Sequence, residues 1–137
     1  MLSLNAKTNE NIIKHALREH PNEACGLFAA DIGTTDVHTF FPMRNTAESN
    51  VIYQLDAKEM IEVETKADEL GIQIIGVMHS HTHTEAYPSP TDVRDAAQFD
   101  PFGSWHYIIV SLENADPVIR SFRIVDEAII EEEISIN

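Results

Sequence analysis

The feature that most restricts how this chain can fold is the apolar run Ile72–Met78, which leads directly into His79 and His81. A short, almost continuous apolar run is typical of a central strand that is covered on both faces. Gly71 stands before the run and is a common residue at the end of a helix. The run therefore predicts a buried strand that follows a helix and delivers two histidines to its end.

Hydrophobic periodicity divides the rest of the chain into further helices and strands. We expect helices from Asn9, as the N-terminal cap, to His20; from Asp56, as the cap of a capping box with Glu59, to Gly71; and from Pro90 to Gln98. We expect the other strands at Ala24–Ala30, Val37–Phe41, Val51–Leu55, Trp105–Leu112, Val118–Val125 and Ala128–Ile134. This order predicts the α/β or α+β class, with a mixed sheet and helices packed on it. The length of 137 residues suits one domain, residues 1–137.

The charge of the chain restricts its partners. Lys and Arg number 9 against 23 Asp and Glu, which gives a formal net charge of −14. Such a surface repels phosphate backbones and has few cations with which to release counterions. Nucleic acids and anionic membranes are therefore poor candidate partners, whereas a basic protein face is favoured.

Cys25 is the only cysteine, so the chain cannot form an internal disulfide and gives no sign of an oxidising compartment. The first residues do not combine a basic stretch with a long apolar stretch, and no apolar run approaches the roughly 20 residues of a membrane helix. We expect a cytoplasmic protein.

The histidines after the apolar run have the spacing of metal ligands. Residues i and i+2 of an extended chain point to the same side, so His79 and His81 can aim their imidazoles at one point. Neutral imidazole is a favoured zinc ligand. The pair alone is weak evidence, and His83, Glu85 and Asp92 are all open as a third ligand.

Ser89 and Asp92 also have a purely structural interpretation. A serine followed by Pro90 and, three residues after the serine, by an acid is the pattern of a helix N-terminus with a capping box. From the residues alone, this interpretation is as good as a functional one. We expect the two to be compatible only in part, because a carboxylate that faces a metal cannot fully serve the cap.

Taken together, Glu23, His79-x-His81, Ser89 and Asp92 resemble the motif of the JAMM (MPN+) metallopeptidases, with the same spacing from His79 to Asp92. The resemblance implies an MPN/JAB-type fold, a curved sheet flanked by helices, over nearly the whole chain. It also implies one zinc ion per chain on His79, His81 and Asp92. Glu23 would be the general base, and the Ser89 hydroxyl would donate a hydrogen bond to the developing oxyanion.

Four further segments resemble one branch of this family: Glu23-Ala-Cys-Gly, His79-Ser-His-Thr, Thr84-Glu-Ala-Tyr-Pro-Ser and Ser121-Phe-Arg-Ile-Val-Asp126. Members of that branch release cysteine from the C-terminus of a small ubiquitin-like sulfur-carrier protein. The implied partner is such a carrier with a Gly-Gly C-terminus. His83 departs from the branch pattern. A homodimer is an open alternative to a monomer.

Other functions and roles remain open at this level. The target could be another ubiquitin-like conjugate or a small peptide, and MPN domains that lack the metal ligands act as scaffolds in protein complexes. Glu85 and Asp95 could orient a histidine, and Cys25 could in principle act as a nucleophile. The histidines that have no ligand spacing are interpreted as structural or exposed: His15, His20, His38 and His106.

Overall fold

Three helices and eight strands make up the computed structural model, which describes every residue of the chain, 1–137. In chain order they are β1 (Leu2–Leu4), α1 (Ala6–Glu19), β2 (Cys25–Asp31), β3 (Asp36–Met43), α2 (Ala57–Leu70), β4 (Ile72–His81), α3 (Pro90–Phe99), β5 (His106–Ser111), β6 (Val118–Val125), β7 (Ala128–Glu132) and β8 (Ile134–Ile136). No helix combines the length and the apolar character needed to cross a membrane.

All eight strands belong to one sheet, in the order β7-β6-β5-β4-β2-β3-β1-β8. Strand β4 pairs parallel with β5, and β1 pairs parallel with β3 and β8, while the other pairs are antiparallel. The two edge strands, β7 and β8, are separated in sequence only by Glu133. Because so short a link spans at most about 7 Å, the two edges lie close together and the sheet curves round. The predicted class, a mixed curved sheet with helices, is confirmed.

Two apolar clusters cover the two faces of the sheet. One contains Val77 and Ile109 and packs against α2 and α3, through Val63 and Ala96. The other packs against α1, through Ile12 and Ala16, and contains Met78 and Ile108. Neighbouring residues of β4 therefore alternate between the two clusters, as the two-residue period of a strand requires.

The caps of the first two helices differ in part from the prediction. The N-cap of α1 is Asn5, whose side chain accepts a hydrogen bond from the Thr8 N–H at 2.7 Å, so the prediction of Asn9 as the cap was wrong. Asp56 does cap α2, but the Glu59 carboxylate accepts from the Arg44 N–H instead of closing the capping box.

Two predicted strands also need correction. Residues Val51–Leu55 form no strand, and the only ladder contact there is an isolated bridge between Asn45 and Leu55. The predicted strand Ala128–Ile134 is divided into β7 and β8, which lie at opposite edges of the sheet. Strand β1 was not predicted, because a three-residue segment is too short to show a period.

Candidate metal centre

Strand β4 ends with both histidines of the motif. His79 and His81 follow Val77 at two-residue intervals, so they lie on the face that carries α2 and α3. Both are buried, with exposed fractions of 1% and 5%. Ser80, between them, belongs to the opposite face and accepts a hydrogen bond from the Ala24 N–H at 2.7 Å. The burial of β4 on both faces thus fixes the direction of the two imidazoles.

Asp92 completes a close group of three ligand atoms. Its Oδ2 lies 3.2 Å from Nε2 of His79 and 3.2 Å from Nε2 of His81, and the two Nε2 atoms are 3.1 Å apart. These are the only three clustered residues of the chain with the ligand types and spacing to hold a metal ion. Two ligands at about 2.0–2.1 Å from a tetrahedral ion lie about 3.3 Å from one another. The triangle of donor atoms therefore fits one small tetrahedral metal ion with a fourth position left free.

The N-terminus of α3 holds Asp92 in this position. Ser89 is the N-cap, its hydroxyl oxygen accepts from the Asp92 N–H at 3.1 Å, and the Asp92 carboxylate accepts from the Ser89 N–H at 2.9 Å. The oxygen that closes the capping box is Oδ2, the atom that faces both histidines. One oxygen therefore closes the cap while it faces both histidines, so the expectation that a carboxylate in this position could serve the cap only in part was wrong.

The two imidazoles are oriented by different means. His81 Nδ1 lies 2.8 Å from the carbonyl oxygen of Glu85, so Nδ1–H donates there and leaves Nε2 free as a ligand. His79 Nδ1 is buried and has no hydrogen-bond partner. The ring of His79 instead stacks on Tyr53. His81 is therefore fixed by a hydrogen bond and His79 by packing.

The charges of the site favour an ionised Asp92. Burial opposes ionisation, but His79, His81 and the Ser89 N–H outweigh it and hold the pKa of Asp92 far below its usual range. Burial likewise lowers the pKa of His81, but Asp92, the Glu85 carbonyl and Glu23 more than compensate and leave it raised. An anionic oxygen facing two ring nitrogens is an arrangement suited to a divalent cation.

Glu23 lies at the same end of the sheet. Cys25 is opposite His79 in the antiparallel ladder between β2 and β4, so continuing the register by two residues brings Glu23 opposite His81, on the same face. The Glu23 side chain is buried, and burial raises the pKa of its carboxyl. Charges on His79 and His81 lower that pKa and the charge on Asp92 raises it, so the carboxyl is within electrostatic reach of all three.

The other candidate residues lie outside the group of ligand atoms. His83 is exposed, and its ring lies against that of His20 with centroids 6.4 Å apart. Glu85 contributes its backbone carbonyl and not its carboxylate, and Asp95 is exposed without a hydrogen bond to either histidine. Of the histidines without ligand spacing, His15 and His106 are buried and hydrogen-bonded to Cys25 O and Glu132, while His38 pairs with Asp31 on the surface.

Two residues beside the site were missed by the sequence analysis. Tyr53 belongs to the predicted strand Val51–Leu55, and Asn45 lies between that strand and the predicted strand Val37–Phe41. Tyr53 also forms part of the wall of an open groove of about 560 Å³ between residues 52–55 and helices α2 and α3. No local pattern connects either residue with the site, because the contacts that do so, Tyr53 with His79 and Asn45 with Glu23, join residues more than twenty positions apart.

Comparison with known proteins agrees with this geometry. Residues 5–125 match the family of prokaryotic homologs of the JAB domain. The chain therefore belongs to the JAB domain family, and it is a hydrolase of the JAMM type.

Two relatives with names and two solved structures illustrate the similarity. The CysO-cysteine peptidase of Mycobacterium tuberculosis is 37% identical over 139 aligned residues, which cover 99% of this chain and 91% of the relative. The desampylase of Haloferax volcanii is 33% identical over 96 residues, covering 66% of this chain and 69% of the relative. A solution structure of a protein from Desulfitobacterium hafniense superposes with a TM-score of 0.89 and 34% identity, covering 100% of this chain and 93% of the other. A JAB1/MPN domain protein from Archaeoglobus fulgidus shares the fold alone, with a TM-score of 0.64, 16% identity, and coverage of 99% and 97%.

Proposed function

We propose that this protein is a zinc peptidase that hydrolyses the amide bond between the C-terminal glycine of a small ubiquitin-like sulfur-carrier protein and cysteine, releasing cysteine. The observation that carries the proposal is the triangle of His79, His81 and Asp92 donor atoms, with Glu23 on the same face. The near full-length similarity to a CysO-cysteine peptidase supports the choice of substrate. The pairing of β1 with β8 supports residues 1–137 as one domain.

His79, His81 and Asp92 would hold one zinc ion per chain through Nε2, Nε2 and Oδ2. When bound, zinc supplies a Lewis acid that lowers the pKa of a water ligand and polarises a carbonyl. The donor set of two imidazoles and one carboxylate suits zinc. Burial of both histidines limits the competition of bulk water for these ligands.

Glu23 would act as general base and then as general acid. Its carboxylate accepts a proton from the attacking water and delivers it to the amine of the leaving cysteine, so one group serves both steps. The burial that raises the pKa of Glu23 makes its carboxylate a stronger base than an exposed one. Its backbone is hydrogen-bonded on both sides, which supports a fixed position.

Ser89 would stabilise the negative charge that develops on the carbonyl oxygen. Its hydroxyl oxygen already accepts a hydrogen bond from the Asp92 N–H, so the hydroxyl proton remains free to donate. A donor that is fixed by a helix cap needs no reorganisation as the charge develops.

The surface charge suits a protein substrate with a basic face. The net charge of −14 attracts such a face and repels acidic ones. The free Cys25 thiol is compatible with a reducing compartment, and we place the reaction in the cytoplasm. A second candidate is cleavage of another conjugate, which the similarity to a desampylase favours.

The test is the intact mass of a purified sulfur-carrier protein that ends in Gly-Gly-Cys, before and after incubation with the zinc-loaded enzyme. Parallel reactions contain a chelator, the Glu23→Gln variant, or the Glu62→Gln variant, which changes an exposed glutamate of α2. We expect loss of one cysteine with the wild type and Glu62→Gln. With Glu23→Gln we expect a rate lower by about 10²–10⁴-fold, the usual contribution of a general base.

Other outcomes separate the parts of the proposal. If the protein binds one zinc ion but leaves the carrier intact, the substrate is wrong, and the same reactions with a carrier joined to a lysine side chain test the second candidate. If Glu23→Gln cleaves as fast as the wild type, Glu23 is not the base. If no zinc binds, the metal proposal fails.

A further inference from the structure

The segment Asn45–Leu55, which we call the strap, crosses the metal-binding end of the sheet without forming a strand. Its alternating residues predicted a strand at Val51–Leu55, yet its only ladder contact is the bridge between Asn45 and Leu55. Most of the hydrogen bonds that its backbone does make are to side chains or to other groups of the strap. The conformation of the strap therefore depends on particular side chains more than on a sheet ladder.

Asn45 is the residue that organises the strap. Its side chain is buried, and its exposed fraction is 6%. The amide oxygen accepts from the Ala47 N–H at 3.0 Å and the Gln54 N–H at 3.0 Å, while the amide nitrogen donates to the Ile52 carbonyl at 3.0 Å. One side chain thus joins the beginning of the strap to its end.

The remaining strong hydrogen bond of Asn45 leaves the strap and reaches Glu23. The amide nitrogen donates to the Glu23 carbonyl at 3.1 Å, and the Glu23 N–H donates to the Ser49 carbonyl of the strap at 2.8 Å. Both backbone polar groups of Glu23 are therefore held by the strap. The next residue, Ala24, is fixed to Ser80 of β4 by hydrogen bonds of 2.7 and 3.0 Å.

The strap also contacts the ligand strand directly. The Thr82 hydroxyl donates to the Asn50 carbonyl at 3.2 Å, and Tyr53 stacks on His79. The strap is therefore fastened to the Glu23 segment on one side and to the histidine strand on the other. The Glu23 carboxyl has no side-chain hydrogen bond of its own, so its distance from the metal ligands depends on how its backbone is held, by Ala24 and Ser80 on one side and by the strap on the other.

We propose that Asn45 is a positioning residue for the Glu23 carboxylate: it holds the strap closed and so sets the place of the base relative to His79, His81 and Asp92. This inference rests on the proposed role of Glu23. The residue type matters, because an asparagine side chain donates and accepts at once. Aspartate has nearly the same shape but keeps only the acceptor role and loses every hydrogen bond that the amide nitrogen donates, to the carbonyls of Glu23, Ser49 and Ile52.

The test compares Asn45→Asp and Asn45→Ala with Ser121→Ala in the zinc-loaded full chain. Ser121 is fully buried and hydrogen-bonds to Glu132 at 2.7 Å, away from the strap, so its variant is a control for a lost buried hydrogen bond. Cleavage of the Gly-Gly-Cys carrier gives kcat and KM, and chelator competition gives zinc affinity. Hydrogen exchange of the Glu23 and β4 backbone amides, measured without metal, reports on the strap independently of activity.

For both Asn45 variants we expect kcat to fall about 10–100-fold, the cost of a small displacement of a catalytic group. KM is expected to change less than about twofold, since Asn45 is buried and cannot itself contact a bound carrier. Protection of the Glu23 amide is lost while that of β4 is kept. Ser121→Ala is expected to keep the wild-type kcat and the hydrogen-exchange protection of the Glu23 amide, even if its melting temperature falls as much as that of the Asn45 variants.

Two results would overturn the inference: unchanged protection of the Glu23 amide in Asn45→Ala, or a fall in kcat no larger than that of Ser121→Ala. Failure of the proposed function is a separate result. If the wild type does not cleave the carrier, the proposed substrate is wrong, and if Glu23→Gln is fully active, Glu23 is not the base. The exchange measurement then still decides whether Asn45 fixes the Glu23 segment.

Discussion

The ring of Tyr53 stacks on the ring of His79, with centroids 4.4 Å apart and planes inclined by 21°. The other donor of His79, Nδ1, is buried and has no hydrogen-bond partner. In most metal sites a hydrogen bond to the second ring nitrogen orients the imidazole. Here the stacked ring of Tyr53 orients the imidazole of His79 instead, and it also shields one face of that imidazole from water.

The stacking makes zinc affinity sensitive to the ring of Tyr53 and not to its hydroxyl. We expect Tyr53→Ala to weaken zinc binding about 10–100-fold, the usual effect of losing a group that orients a ligand. Tyr53→Phe keeps the ring and is expected to bind zinc as the wild type does. Competition with a chromogenic chelator measures both. Equal losses in the two variants would show that the hydroxyl, and not the stacking, supports the site.

The shared role of Asp92 Oδ2 predicts that capping and metal binding can be separated by mutation. Ser89→Ala removes the cap acceptor and is expected to lower the free energy of unfolding of the metal-free protein by about 1 kcal/mol. The same variant is expected to bind zinc when the metal is supplied. Asp92→Asn keeps an oxygen for the Ser89 N–H but loses the anionic ligand. Zinc binding is therefore lost, while the free energy of unfolding of the metal-free protein changes less than in Ser89→Ala. Urea unfolding and zinc stoichiometry test this pair. A Ser89→Ala protein that loses zinc as completely as Asp92→Asn would contradict it.

Local patterns explain why much of the candidate site could be predicted. The two-residue period of a strand brings His79 and His81 to one face, and the pattern from Ser89 to Asp92 starts a helix at Pro90. Both depend on neighbours in sequence. The resemblance to a known motif supplied Glu23, which no local pattern would have joined to residues more than fifty positions away.

The strap shows why other parts could not be predicted. Val51–Leu55 alternates as a strand does, but the Asn45 side chain offers its backbone competing hydrogen bonds. The cap of α1 was misplaced because the first turn, from Ala6, is polar, and the apolar period becomes visible only from Ile12. The division at Glu133 depends on the curvature of the whole sheet, which brings the two opposite edges, β7 and β8, close enough for one residue to join them.

A buried hydrogen-bond network on β7 predicts a pH-dependent part of the stability. The Glu132 carboxylate accepts from His106 at 2.6 Å and Ser121 at 2.7 Å, and its side chain is 10% exposed. Burial raises the pKa of Glu132, but these hydrogen bonds outweigh it and leave the pKa lowered. A carboxyl whose pKa is lower in the folded state stabilises the fold above its unfolded pKa, near ~4.3, and this contribution is lost as the pH falls through the folded value.

Glu132→Gln should therefore lower the free energy of unfolding by about 1–2 kcal/mol at pH 7. This is the usual contribution of a hydrogen bond to a charged group, reduced by some solvent screening at the edge of the sheet. The difference from the wild type should shrink as the pH is lowered below ~4.3. Urea unfolding between pH 3 and pH 7 measures it. A difference that stays constant over this range would show that ionisation of Glu132 does not contribute.

Removal of the metal should leave the fold intact. The two apolar clusters on the two faces of the sheet are continuous without any metal ligand. We expect the chelated protein to keep its circular dichroism spectrum and cooperative melting, with a lower melting temperature that rises with zinc concentration, as binding to the folded state alone requires. A chelated protein that melts without cooperativity would show that the metal is structural.

The thiol of Cys25 is predicted to be unreactive and to take no part in catalysis, although Cys25 lies two residues from Glu23. Its side chain is fully buried, and burial, together with the negative charges of Glu59, Glu19 and Glu23, raises the pKa of its thiol to about 12. The nucleophile is the thiolate, and at pH 7 such a thiol is ionised to only about one part in 10⁵. Cys25→Ala should therefore keep kcat within about twofold and lower stability by about 1 kcal/mol through the small cavity that it leaves. The native protein should resist a thiol reagent that labels the unfolded chain at once. A folded, zinc-loaded Cys25→Ala protein as inactive as Glu23→Gln would instead assign the nucleophile to Cys25, and the water-based route through Glu23 would have to be abandoned.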